Sequence, residues 1–138
     1  MGKYQELIEM AMEARKLAYA PYSHFQVGAA LLAEDETVYQ GCNIENASYP
    51  AGHCAERTAF SNAVVHGMRK FVAIAIVGGA EGVSELEYCA PCGICRQMMR
   101  EFCEPDRFEI VLARTRDDYK VYTLQELLPE SFGPQNLK

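Results

Sequence analysis

Phe71-Val72-Ala73-Ile74-Ala75-Ile76-Val77 is an unbroken apolar run, and Gly78-Gly79 follows it. A strand with one wet face alternates apolar and polar residues. A run without alternation, rich in Val and Ile, reads as a central strand covered on both faces. It is too short to span a bilayer. Its neighbours supply the cover. Upstream, Cys54, Ala55, Ala59, Phe60, Ala63 and Val64 recur at helical spacing, and His66-Gly67 is a good stop, with His66 in the last turn near the negative helix end. Downstream, a helix is expected from the Pro91-Cys92 region to about Phe102. Glu104-Pro105-Asp106 ends it, and Phe108 to Ala113 reads as another buried strand. This strand–helix–strand–helix–strand middle argues for an α/β sandwich with a mixed sheet.

The outer elements complete the layers. Tyr4 to about Ala18 is expected to be an amphipathic helix, with Tyr4, Leu7, Ile8, Ala11 and Ala18 on one face. Ala20-Pro21-Tyr22-Ser23 breaks it. A hairpin follows: a strand from about Gln26 to Ala33, a polar turn at Glu34-Asp35-Glu36, and a partner strand from about Thr37 to Asn43. A loop from Glu45 to Gly52 leads into the Cys54 helix, and Ala80 to Glu87 connects the central strand to the second cysteine cluster. Asp117-Asp118 reads as a turn, Lys120 to Tyr122 as a short strand, and Thr123 as the cap of a last helix through Glu126, Leu127 and Leu128.

Composition sets bounds. A length of 138 residues and 49% hydrophobic content suit one domain, 1–138, with a real core. The formal net charge is −6 and the basic residues are scattered. No Lys/Arg block is present to track a phosphate backbone, which argues against a polynucleotide partner but not against a mononucleotide. Met1-Gly2-Lys3-Tyr4-Gln5-Glu6 is neither a secretory signal nor a good myristoylation site, because charged and polar residues interrupt it and Glu6 stands where Ser or Thr is wanted. No membrane partner is expected. The six cysteines cluster with Pro and Glu. That favours metal ligation in a reducing compartment, the cytoplasm, over disulfides.

Two stretches carry the chemistry: His53-Cys54-Ala55-Glu56-Arg57 and Pro91-Cys92-Gly93-Ile94-Cys95-Arg96-Gln97. Cys92 and Cys95 fall on one face of a first helical turn, with Pro91 suited to the first helical position. A helix start lowers the pKa of thiols placed there. C-x-x-C supplies two ligands to tetrahedral zinc, and Cys54, at another helix start, is the best third. Three ligands leave a position for water, the catalytic arrangement, and place Glu56 as a proton carrier. His53 and the pair Cys89/Cys92 are rival ligands. Cys42 and Cys103 read as ordinary buried thiols. Three thiolates over-neutralise a dication, so helix N-termini and nearby cations must compensate. Arg57 is the candidate to hydrogen-bond a ligand sulfur.

Cys-Ala-Glu followed by Pro-Cys-Gly-x-Cys-Arg-Gln resembles the zinc signature of the cytidine deaminases. Phe25-Gln26-Val27-Gly28-Ala29-Ala30-Leu31 and Gly41-Cys42-Asn43-Ile44-Glu45-Asn46-Ala47-Ser48-Tyr49 resemble the small nucleoside-acting branch. The resemblance implies a three-layer α/β/α sandwich with a five-stranded mixed sheet, one Zn2+ on Cys54, Cys92 and Cys95, and hydrolytic deamination of cytidine and 2′-deoxycytidine. It implies that Glu56 takes a proton from water, delivers it to ring N3 and then protonates the departing amine. It further implies Asn43 and Glu45 on the ribose 3′-hydroxyl, Phe25 against the pyrimidine, the Ala55 N–H on the base O2, Tyr49 near the sugar and a subunit contact, and Phe132 reaching a neighbouring subunit's pocket. The three-cysteine set resembles the homotetrameric branch. Two rivals remain: a deaminase of a cytosine nucleoside antibiotic, and a structural zinc module, which would need a fourth protein ligand and no Glu56.

Overall fold

The computed structural model describes residues 2–137. The central run forms β3 in a five-stranded sheet. In chain order the main elements are α1 (Lys3–Arg15), β1 (Phe25–Ala33), β2 (Val38–Cys42), α2 (Ala55–Val65), β3 (Phe71–Ala80), α3 (Gly93–Phe102), β4 (Glu109–Ala113), β5 (Tyr119–Thr123) and α4 (Leu124–Leu127). The sheet order is β2-β1-β3-β4-β5. β3 and β4 are parallel, joined across α3, and the other neighbours are antiparallel. The sheet is therefore mixed, and helices cover both faces.

The apolar run hides an alternation of size. Ala73, Ala75 and Val77 face α1 with Ala30, Val111 and Ala113, against Leu7, Ile8 and Ala11 of the helix. Ile74 and Ile76 face the other side with Leu31, Ile110 and Leu112, against Ala59, Phe60 and Ala63 of α2 and Met99 of α3. Small residues let α1 lie close to the sheet; larger ones fill the space under two helices. Close approach also explains two glycines. A Cβ on Gly28 would lie 2.1 Å from the Ala11 carbonyl oxygen, and one on Gly41 would lie 2.4 Å from the Ala59 nitrogen.

Two boundaries differ from those expected. α1 stops at Arg15 rather than near Ala18, so Ala14 instead of Ala18 completes its buried face. The chain is drawn off the helix because the Tyr19 N–H donates to the Asn43 carbonyl and the Glu45 N–H to the Tyr19 carbonyl. Pro21 also disfavours helical backbone at Ala20. β3 continues through Gly78-Gly79, which pair with Val27 and Gln26, instead of ending before them. At the chain's other end, the Thr123 cap forms with Glu126 in a reciprocal capping box.

Candidate active site

β1 runs antiparallel to both β2 and β3, so β2 and β3 finish at the end where β1 begins. α2 and α3 start there as well. The first N–H groups of a helix have no partner inside it and favour negative charge. Cys54 is the N-cap of α2 and Cys92 the N-cap of α3, both with extended backbone, while Cys95 lies in the first turn of α3. Their sulfurs all fall within 4.8 Å of one another. Cys54 Sγ is 3.9 Å from Cys92 Sγ, which is 3.6 Å from Cys95 Sγ. Among the described residues this is the cluster suited to a metal. His53 and Cys89, the rival ligands, stand outside it.

Pro91 is not the first helical residue. α3 begins at Gly93, and Pro91 precedes the N-cap. An extended N-cap turns its side chain back over the first turn, which brings Cys92 to Cys95. The Pro91 carbonyl accepts from Arg96 Nε at 2.7 Å, and Arg96 Nη1 reaches the Leu127 carbonyl at 2.6 Å. Arg96 thus anchors the peptide before Cys92 to the α4 turn.

The thiols are electrostatically unequal. Hydrogen bonding from Cys95, then from Cys92 and the Arg57 guanidinium, draws Cys54 down to about 5. Cys95 moves up, because it keeps the proton it shares with Cys54 and because it is buried. A dication among the sulfurs favours all three thiolates. Arg57 Nη2 donates to the Gly52 carbonyl at 3.1 Å, and its buried Nε has no hydrogen-bond partner.

Glu56 is only 5% exposed. It is the second residue of α2, and burial pushes its carboxyl up to about 7. Ala55, the first residue, is buried and turns a first-turn N–H toward the same end. Beside them opens a cleft of about 650 Å³, lined among others by Phe25, Asn43, Glu45, Tyr49, Ala55, Glu56 and Arg57. Phe25 starts β1. Its ring shares a wall with Cys89, whose thiol burial raises to about 11. Gly78 leaves room for both: a Cβ there would meet Cys89 Sγ at 3.0 Å and Phe25 Cε2 at 3.1 Å.

The polar end of the cleft is already bonded. Asn43 Oδ1 accepts from the Val27 N–H at 2.9 Å, and its Nδ2 donates to the Phe25 carbonyl at 2.8 Å. The Glu45 carboxylate accepts from the N–H groups of Tyr22 and Ser23 at 3.0 and 3.1 Å and from the Ser23 hydroxyl. The Ser23 hydroxyl, above all, holds this carboxyl below its ordinary range. Tyr49 stands at the rim, 77% exposed, its ring edge-on to Tyr22 at 6.3 Å. Phe132 does not line the cleft. It is 58% exposed, and its carbonyl accepts from Gln97 Nε2 at 2.9 Å. Reading the sequence missed Ser23 and Cys89 as cleft residues. Ser23 lies in a stretch that reads only as a helix breaker, 22 residues from Glu45. Of Cys42 and Cys103, the second is buried and the first half-buried.

A family model described as the cytidine and deoxycytidylate deaminase zinc-binding region matches residues 1–111. A cytidine deaminase of Sporosarcina psychrophila is 47% identical over 133 residues, covering 96% of this chain and 93% of the relative. The crystal structure of cytidine deaminase from Burkholderia pseudomallei aligns with a TM-score of 0.84 at 48% identity, covering 96% of this chain and all of that one. That of Mycobacterium tuberculosis aligns with a TM-score of 0.80 at 34% identity, covering 96% and 99%. With the match spanning most of the chain in sequence and in fold, the chain belongs to the cytidine and deoxycytidylate deaminase family.

Proposed function

We propose that the protein hydrolyses cytidine and 2′-deoxycytidine to uridine and 2′-deoxyuridine with release of ammonia, in pyrimidine nucleoside salvage. The observation that carries this reading is the buried Glu56 carboxyl, which lines the cleft at the start of the helix that Cys54 caps. The donor set fits the metal: three sulfurs within 4.8 Å of one another, one already inclined to the thiolate, suit a thiophilic ion with an open position. Cys54, Cys92 and Cys95 would hold one zinc per subunit, and zinc in such a site supplies Lewis-acid activation of water near neutral pH.

The chain's own residues do the rest. Glu56 accepts the proton that the attacking water gives up and delivers it to ring N3, which makes C4 electrophilic. Once the water oxygen is bonded to C4, Glu56 takes the second proton from that oxygen and passes it to the exocyclic nitrogen; the C4–N bond breaks, the oxygen is left as the C4 carbonyl, and ammonia leaves. A carboxyl near 7 can serve as base and acid in turn. Arg57 offsets the excess negative charge of three thiolates. Phe25 packs against the pyrimidine, and the Ala55 N–H holds the base O2. Asn43 and Glu45 take the ribose 3′-hydroxyl, and the charge on Glu45 disfavours a phosphate there, selecting nucleoside over nucleotide.

The exposed rings of Tyr49 and Phe132 suit subunit contacts, with Phe132 entering a neighbour's cleft in a homotetramer. Among the described residues no helix is long and apolar enough to cross a membrane. We place the single-domain enzyme in the cytoplasm, where thiol ligands stay reduced.

The test follows cytidine absorbance with wild type and Glu56→Gln, measuring bound zinc in both. Wild type should convert cytidine, while Glu56→Gln keeps its zinc and loses about 10²–10⁴-fold in kcat. Zinc-loaded wild type that leaves cytidine untouched would overturn the assignment.

A further inference from the structure

We propose that Ser23 is a positioning residue that couples sugar recognition to base stacking. Its hydroxyl donates to Glu45 Oε2 and accepts the Phe25 N–H at 3.1 Å, so one oxygen joins the sugar-facing carboxylate to the aromatic wall. The inference rests on reading the cleft as a cytidine site.

The surrounding bonds show how Ser23 acts. Glu45 Oε1 receives the N–H groups of Tyr22 and Ser23, which fill its two lone-pair directions. Oε2 receives the Ser23 hydroxyl and keeps one acceptor direction for a ligand hydroxyl. Ser23 therefore determines where the remaining acceptor points. The chain then turns sharply into β1. His24 adopts φ 58°, a left-handed conformation that L side chains seldom take, and its carbonyl receives the Glu81 N–H at 2.7 Å. Beyond the turn, Asn43 Nδ2 holds the Phe25 carbonyl. Both peptide groups flanking the Phe25 side chain are thus tied to the two residues assigned to the sugar, one directly and one through Ser23. The hydrogen bonds of Ser23 run to Glu45 and Phe25 and to neither Glu56 nor a sulfur of the cluster, so its loss should weaken binding rather than chemistry.

The experiment compares zinc-loaded wild type, Ser23→Ala and Ser23→Thr with cytidine and 3′-deoxycytidine as substrates. Ser23→Ala should raise KM for cytidine about tenfold, the effect of one hydrogen bond to a charged group. Its kcat should stay within about twofold, marking a loss of uniform binding. The preference for cytidine over 3′-deoxycytidine should shrink, because the misplaced group is the one that meets the 3′-hydroxyl. Ser23→Thr keeps the hydroxyl and should restore both values. An unchanged KM in Ser23→Ala, an unchanged preference, a parallel fall in kcat with loss of zinc, or failure of threonine to rescue would overturn the inference. A wild type inert toward cytidine would overturn the proposed function and this inference together. An active wild type with an indifferent Ser23→Ala would overturn this inference alone.

Discussion

Replacing Gly41 with alanine should disable the active site without replacing any residue in it. The added Cβ would lie 2.4 Å from the Ala59 nitrogen and 2.5 Å from the Ala55 carbonyl oxygen. Ordinary contact begins near 3.5 Å, so α2 must retreat by about 1 Å. Overpacking of this kind costs about 1–3 kcal/mol and should lower the melting temperature by roughly 5–10 °C. The helix that moves carries Glu56 and is capped by Cys54, and a misplacement of about 1 Å can remove about 100-fold from turnover. Gly28→Ala is the matched control. Its Cβ would lie 2.1 Å from the Ala11 carbonyl oxygen and 2.5 Å from the Arg15 nitrogen, on the opposite face under α1. It should lose at least as much stability yet keep kcat within about threefold. The assay combines thermal melts, bound zinc and initial rates well below both melting temperatures. Wild-type turnover in Gly41→Ala, or an equal loss of kcat in Gly28→Ala, would refute the reasoning.

Three other outcomes are expected. Glu56 sits above its unfolded value, so its contribution to stability is complete below the unfolded pKa and is lost as pH rises through about 7. In metal-stripped protein, urea melts at acidic and alkaline pH should therefore show wild type losing about 3 kcal/mol relative to Glu56→Gln as pH rises; parallel profiles would contradict it. Arg57→Ala should weaken zinc retention about 10–100-fold in a chelator competition, with the melting curve of the zinc-loaded form changed far less. Phe60 is 2% exposed and packs within 6.2 Å of the rings of Phe71, Phe102 and Phe108, so Phe60→Ala should cost about 3–5 kcal/mol in denaturant melts.

What could be read from the chain alone was what depends on period and spacing. The uninterrupted run at Phe71 announced a strand covered on both faces, and the offsets within the two cysteine stretches picked out the three sulfurs that converge. Other features depend on contacts between distant segments. Nothing local to Lys16-Leu17-Ala18 ends α1; the Tyr19 backbone pairs with Asn43 and Glu45, far along the chain. Gly78-Gly79 follow the apolar run, where glycine usually interrupts a strand. At Gly78 it instead makes room for Cys89 and the Phe25 ring, contacts that no spacing encodes. Pro91 shows the same limit: its fitness for a first helical turn was real, but Cys92 takes the capping position instead. Ser23 was hidden most completely, since its partner Glu45 stands 22 residues away.

The capping cysteines have one more consequence. Cys54 and Cys92 are 38 residues apart, and the segment between them contains α2 and β3. An ion gripping both would be a staple as well as a reagent. Treated as a cross-link, closing a loop of this length removes about 4 kcal/mol of freedom from the unfolded chain. The lifetime of the folded enzyme and its hold on zinc are then two readings of one knot: a chain that has let go of its ion is also a chain more ready to open, and newly made protein that meets zinc late matures late.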